Sequence, residues 1–242
     1  MVMKILKSVL AVVATAAAVA AVAPAASAKP APPVDPGATV QIIGGSYYNG
    51  SATWAARLFS NGQQSCTATL IASRYILTAK HCASGTLSFR IGSLDQNSGG
   101  TVAKGVQTTT HSAADLAIVR LDRSVAGPYS PLGTTSDVAV NQYVTVMGWG
   151  ATCTNQAEIN CQSRYLKQAT VRVNTVNGRD YVGGVGIGAY WYNGLTAGGD
   201  SGGPMWGNGR QVGVASTSNR SDYTTYTNIT RYRSWIQSIA GV

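Results

Sequence analysis

The chain has 242 residues and a formal net charge of +9, with 45% hydrophobic and only 11% charged residues. So apolar a composition excludes a disordered or coiled-coil protein, and the abundance of Gly, Ser, Thr and Val points to an all-β chain rich in turns. The basic residues stand singly, without a run and without interleaved aromatics, which argues against a nucleic-acid partner.

Residues 1–28 read as a signal peptide. Lys4 and Lys7 precede an apolar Ala/Val/Leu stretch, 9–23, interrupted only by Thr15, and Ala26-Ser27-Ala28 is a small-x-small cleavage site. A membrane anchor is the competing reading, but the stretch is short and rich in alanine, and no later segment approaches the ~18 apolar residues that a spanning helix needs. No membrane partner is therefore expected, and the protein is expected to be secreted and extracellular. Residues 29–41 (KPAPPVDPGATVQ) are rich in Pro and Ala and lack any period, so they read as a propeptide that is later removed.

From Ile42 onward, fifteen basic and eight acidic residues leave a surplus of +7. Short β-branched and aromatic stretches at 67–77, 143–147, 169–173 and 211–215 alternate with Gly, Asn and Ser, the texture of barrels or sandwiches. One helix is expected, at the C-terminus, where Tyr232, Trp235, Ile236 and Ile239 fall on one face behind the candidate caps Asn228 and Thr230. Four cysteines in an oxidising compartment imply two disulfides, of which the spacing alone allows three connectivities. They lack paired C-x-x-C spacing, so no metal and no cofactor is expected.

Three separated motifs ask for one explanation: LTAKHC at 77–82, DLAIVRL at 115–121 and GDSGGP at 199–204. With IIGG at 42–45 and GWG at 148–150, they resemble the chymotrypsin/trypsin-like serine proteases across nearly the whole chain after the leader. The resemblance implies two packed antiparallel six-stranded β-barrels, the first over about 42–135 and the second over about 136–230, with a C-terminal α-helix over about 231–240. Residues 42–242 would thus form one serine protease domain.

Carried over residue by residue, the resemblance makes His81 the general base, Asp115 the residue that fixes its tautomer, and Ser201 the nucleophile. A serine hydroxyl attacks a peptide carbonyl only when an imidazole can take its proton. Asp95 and Asp122 compete with Asp115, but only Asp115 opens an apolar run, whereas Asp122 reads as a solvated turn. His111 matches no family motif and reads as structural. The N–H groups of Gly199 and Ser201 would form the oxyanion hole. Asp200 would meet the α-ammonium of Ile42 after cleavage, although Gln41 is not the basic residue after which related zymogens are cut. Autocatalysis and a second secreted protease both remain open as the activating step. Cys66 and Cys82 match the family's histidine-loop disulfide, which leaves Cys153 with Cys161.

Where trypsins carry an aspartate that recognises Arg or Lys, this chain has Leu195. Ser216, Thr217 and Ser218 match the substrate strand, and Thr224 would stand at the pocket wall, so small or medium aliphatic side chains are expected before the cut. Ala197 replaces a common cysteine, leaving the loop after Ser218 without its disulfide. Lys80, where Ala is usual, is expected to face solvent. The expected partners are protein or peptide substrates and protein inhibitors, and the enzyme is expected to act as a monomer. The alternatives are an esterase, or an inactive protease-fold protein whose basic surface holds an anionic polymer. The short leader and sparse cysteines suggest a bacterial, actinobacterial source.

Overall fold

The computed structural model describes residues 43–242. The expected signal peptide (1–28), the propeptide (29–41) and Ile42 lie outside the described residues. Two short strands, β1 (Ile43–Gly44) and β2 (Ser46–Tyr47), lead into β3 (Ala55–Ser60), β4 (Gln63–Ala72), β5 (Tyr75–Thr78), β6 (Leu87–Ile91), β7 (Thr101–Thr110) and β8 (Ala117–Leu121). The last six close into an antiparallel barrel in the order β3-β4-β5-β8-β7-β6. The expected strand at 67–77 is in fact two: Ala72 pairs with Tyr75 across a two-residue turn, and the polar Ser73-Arg74 pair takes the corner.

After a connector come β9 (Tyr143–Gly148), β10 (Lys167–Arg179), β11 (Val185–Trp191), β12 (Gly194–Leu195), β13 (Pro204–Gly207), β14 (Arg210–Ser218) and β15 (Tyr223–Asn228). Because β10 pairs with both β9 and β11, the strands β9-β10-β11-β15-β14-β13 close a second antiparallel ring of six. β2 covers Lys167 and Gln168, the stretch of β10 that β11 does not reach. Closure leaves few open strand edges, which keeps a chain so rich in strands from pairing with its neighbours.

Each barrel is filled by alternate residues of its strands. In β6 the sequence LSFRI buries Leu87, Phe89 and Ile91 and turns Ser88 and Arg90 outward. In the second barrel Val144, Val146, Val171, Val173, Ile187, Met205 and Tyr226 share one core. The one α-helix among the described residues, α1 (Arg233–Ala240), buries Ile236 in the first barrel's core and, with the preceding Tyr232, lays Trp235 and Ile239 against it. Asn228 caps a separate 3-10 turn (Ile229–Arg231) ahead of it, accepting from Thr230 N at 3.2 Å; Tyr232 begins α1 without a side-chain cap, and Gly241 ends it in the left-handed conformation.

Candidate active site

His81 sits in a single 3-10 turn (Lys80–Cys82) at the end of β5, and Asp115 lies just before β8, the strand that pairs with β5. That pairing brings the two together: His81 Nδ1 is 2.8 Å from Asp115 Oδ2, and the His81 backbone N–H donates to Asp115 Oδ1 at 3.0 Å. Asp115 is fully buried while the His81 side chain is 30% exposed, so the imidazole faces solvent with its back to the carboxylate. Ser216 Oγ donates to Asp115 Oδ2 at 2.6 Å. Burial raises the Asp115 pKa, but the bonds from His81 and Ser216 outweigh it and hold the carboxyl below its ordinary range. The Cys66–Cys82 disulfide pins the histidine turn to β4. It also engages both sulfurs near His81, which removes them from any metal-ligand set.

Ser201 lies in the turn between β12 and β13, on the second barrel. It opens onto a cleft of about 220 Å³ lined by His81 and Tyr181 together with residues of the 196–197 and 215–220 segments. The turn is packed too closely for side chains. Gly199 has φ +101°, and a Cβ there would come within 2.8 Å of the Gln162 side chain; Gly202 has φ +81°, and a Cβ there would collide with Thr78 Oγ1. Gly199 O accepts from Thr67 Oγ1 at 2.8 Å and from Arg57 Nη1 at 3.1 Å, while Gly198 O accepts from Ala151 N at 2.8 Å and from Gln162 Nε2 at 3.3 Å. Arg57 also binds Gln162 Oε1. Both carbonyls flanking the Gly199 N–H are thereby fixed in direction. Among the described residues neither the Gly199 nor the Ser201 N–H has an acceptor.

Asp200 is 1% exposed and accepts from Gly150 N at 2.7 Å and Ala197 N at 3.0 Å. Burial pushes its carboxyl up to about 6, against the lowering pull of those amides and of the Arg57 and Lys167 charges. Both cations are themselves buried, and burial brings Arg57 down to about 9 and Lys167 down to about 8. The sequence motifs carried no sign of these two residues, because each stands alone in an otherwise ordinary strand.

Ser216 and Ser218 line the cleft. Leu195 does not: it pairs with Ile43 in the small sheet of β1 and β12, where it is 1% exposed. Thr224 is also covered, its hydroxyl 2.7 Å from that of Thr196, which lines the cleft in its place. The loop after Ser218 has a fastening other than the missing disulfide. Arg220 binds Glu158 at 2.6 and 3.2 Å and its own neighbour Ser218 O at 3.1 Å. Glu158 belongs to the small loop closed by Cys153–Cys161. The bond from Arg220, and the Gly198 amide, hold the Glu158 carboxyl below its ordinary range despite partial burial.

The other expected bystanders have structural partners. His111 Nδ1 accepts from Ala113 N, and its ring packs edge-on against Tyr232 and Trp235. Asp95 pairs with Arg164, and Asp122 with Arg123 on the surface. Lys80 does not simply face solvent: it reaches back to His111 O at 3.1 Å and braces the loop that carries Asp115.

A family model described as Trypsin matches residues 15–236, and the chain therefore belongs to the trypsin family of serine proteases. Within that family it is a serine endopeptidase, a hydrolase of peptide bonds. Trypsin CFT-1 of Choristoneura fumiferana is 32% identical over 83% of this chain and 91% of its own length. Achelase-1 of Lonomia achelous is 31% identical over 82% of this chain and 100% of its own. The solved structure of neuropsin, a serine protease expressed in the limbic system of mouse brain, superposes with a TM-score of 0.66 at 26% identity, over 77% of this chain and 94% of that one. These sequence relatives are insect proteins and lend no support to the bacterial source suggested by the leader. No helix among the described residues is long and apolar enough to cross a membrane.

Proposed function

We propose that the protein is a secreted endopeptidase made as a precursor, in which Ser201 attacks the scissile carbonyl, His81 takes its proton and passes it to the leaving amine, and Asp115 holds the imidazole. The observation that carries this reading is the 2.8 Å contact between His81 Nδ1 and the buried Asp115 carboxylate, with Ser201 on the wall of the same cleft. The contact directs Nδ1–H inward and leaves Nε2 facing the cleft as the base. The N–H groups of Gly199 and Ser201 then receive the developing oxyanion, and the fixed carbonyls on either side of Gly199 keep that donor from turning away.

Removal of the signal peptide (1–28) and the propeptide (29–41) frees the Ile42 ammonium for Asp200. A carboxylate buried without a full counter-charge is destabilising, which makes that pairing a switch. Substrate selection falls to Thr196, Ala197, Ala215, Ser216, Thr217 and Ser218, small residues that suit short aliphatic side chains. The cleft lining has no carboxylate to welcome Arg or Lys, and Arg220 stands at its rim. Protein inhibitors that fit the same cleft are the expected regulators of a monomer.

The test is intact-mass analysis of the secreted protein before and after a fluorophosphonate probe. A single adduct mapped to Ser201, in a species beginning at Ile42 and absent from Ser201→Ala, is the expected result. Processed, folded protein that takes up no probe would sink the triad assignment and leave an inactive protease fold.

A further inference from the structure

We propose that Asp180 is a positioning residue for Asp115, reaching from the second barrel to the first to set the carboxylate behind the histidine; the inference rests on the triad assignment above. Asp180 opens the tight loop between β10 and β11, on the second barrel. It is 5% exposed, and every oxygen of its carboxyl group is engaged. Oδ1 accepts from Val182 N at 3.1 Å and Gly184 N at 2.7 Å, closing its own loop. Oδ2 accepts from the Asp115 backbone N–H at 2.8 Å and from Thr227 Oγ1 at 3.0 Å.

The neighbouring residue extends the same hold. Tyr181 N donates to Ser216 Oγ at 3.0 Å, and with that lone pair occupied the Ser216 hydroxyl turns its hydrogen to Asp115 Oδ2 at 2.6 Å. One dipeptide thus fixes Asp115 twice, by its main chain through Asp180 and by its carboxylate through Ser216. The loop sits tight against its target, since a Cβ at Gly184 would come within 2.8 Å of Ala113 O and of Ala114 Cα. Tyr181 then lines the cleft with its ring 6.0 Å from that of His81. The hold joins residues on different barrels, so it keeps Asp115, on the first, in register with the substrate strand carrying Ser216 on the second.

Asp180→Asn separates this role from loop closure. An amide has a single acceptor oxygen. If that oxygen keeps Val182 and Gly184, the NH2 opposes the Asp115 N–H, and only a hydroxyl such as Thr227 can rotate to suit it. Mature enzyme, wild type and variants, is titrated to completion with the fluorophosphonate probe, and kcat is computed per titrated site. Asp180→Asn is expected to lower it about 10²-fold, the scale of a misplaced catalytic group, with KM for a short peptide unchanged. Thr227→Val, which leaves Asp180 in place and removes one of its donors, is expected to lower kcat less and in the same direction, and it decides the question should Asp180→Asn not fold. Variants that keep the wild-type kcat per titrated site, and lose only yield or melting temperature, would overturn the proposal. Wild-type protein without an adduct would instead remove the triad reading on which it rests.

Discussion

Asp200 shows how one buried carboxyl group can report on processing. Burial, with no ammonium among its described neighbours other than Lys167, raises its pKa from 3.8 to about 6. The folded state therefore holds the proton more tightly than the unfolded chain, so the stability this group contributes is complete below pH ~4 and lost as pH rises through ~6, a swing of about 3 kcal/mol. Precursor carrying Ser201→Ala, which cannot cut itself, is expected to lose stability between those pH values, and Asp200→Asn in the same background should flatten that slope. Protein beginning at Ile42 should lack the loss, because the ammonium favours the charged carboxylate. Denaturant melts at pH 4, 5, 6 and 7 read all three; the same falling slope in precursor and mature protein would remove Ile42 from the Asp200 site. His81, Asp115, Ser201 and Asp200 could be singled out as candidates in the sequence because each sits in a short motif whose neighbours are dictated by the same chemistry. Asp180, Arg57 and Lys167 were not, because each acts through a partner at least thirty residues away and its own neighbours carry no trace of the task. The glycines at 183 and 184 are compatible with a turn after Asp180, but a turn alone does not say what the carboxyl faces.

Among the elements, the rim of the cleft was the least legible. The sequence offered 216–218 as the substrate strand, but which side chains a strand offers to a cleft depends on bulges in its pairing, and β14 is shifted against β15 between Ala215 and Thr217. Leu195, expected in the pocket, pairs instead with Ile43, and Thr196 beside it lines the cleft. The Glu158–Arg220 pair then fastens the rim where a disulfide was missing. Both side chains are more than a third exposed or nearly so, 34% and 44%, so the pair adds little to global stability. Its effect should fall on selectivity. Wild-type enzyme is expected to cleave after Ala, Val or Leu in preference to Arg or Lys, and Arg220→Gln should raise the relative rate on basic residues about fivefold, the ~1 kcal/mol of one screened charge at contact distance. A substrate panel measures both, and wild-type enzyme that cuts fastest after Arg or Lys would reject the assigned preference.

At the scale of the whole molecule, the two barrels followed from the resemblance, while their closure came from pairings between strands far apart in the chain, which no local pattern encodes. The two disulfides span 16 and 8 residues, both within a single barrel or its loops. On loop-closure grounds each contributes about 2–3 kcal/mol, slightly more for Cys66–Cys82. Replacing Cys66 and Cys82 together by Ala should lower the melting temperature and also reduce kcat, since the bridge holds the turn bearing His81. Replacing Cys153 and Cys161 should cost comparable stability and act instead on the rim. Calorimetry beside kcat and KM for each pair separates the two, and equal kinetic effects would show the bridges to be interchangeable staples.

The division of the site between the barrels also bears on how the molecule comes into being. His81 and Asp115 belong to one closed sheet, Ser201 and Ser216 to the other, and Asp180 ties them only when both are complete. Sheets built from distant pairings form slowly, and exposed chain is what a protease cuts. A copy with one finished barrel carries half a catalyst, and half a catalyst cannot cleave the unfolded copies emerging beside it. On the proposed triad, the seam between the barrels would add a safeguard during biogenesis to the one the leader provides, because no cutting power can arise before the molecule has ceased to be an easy target itself.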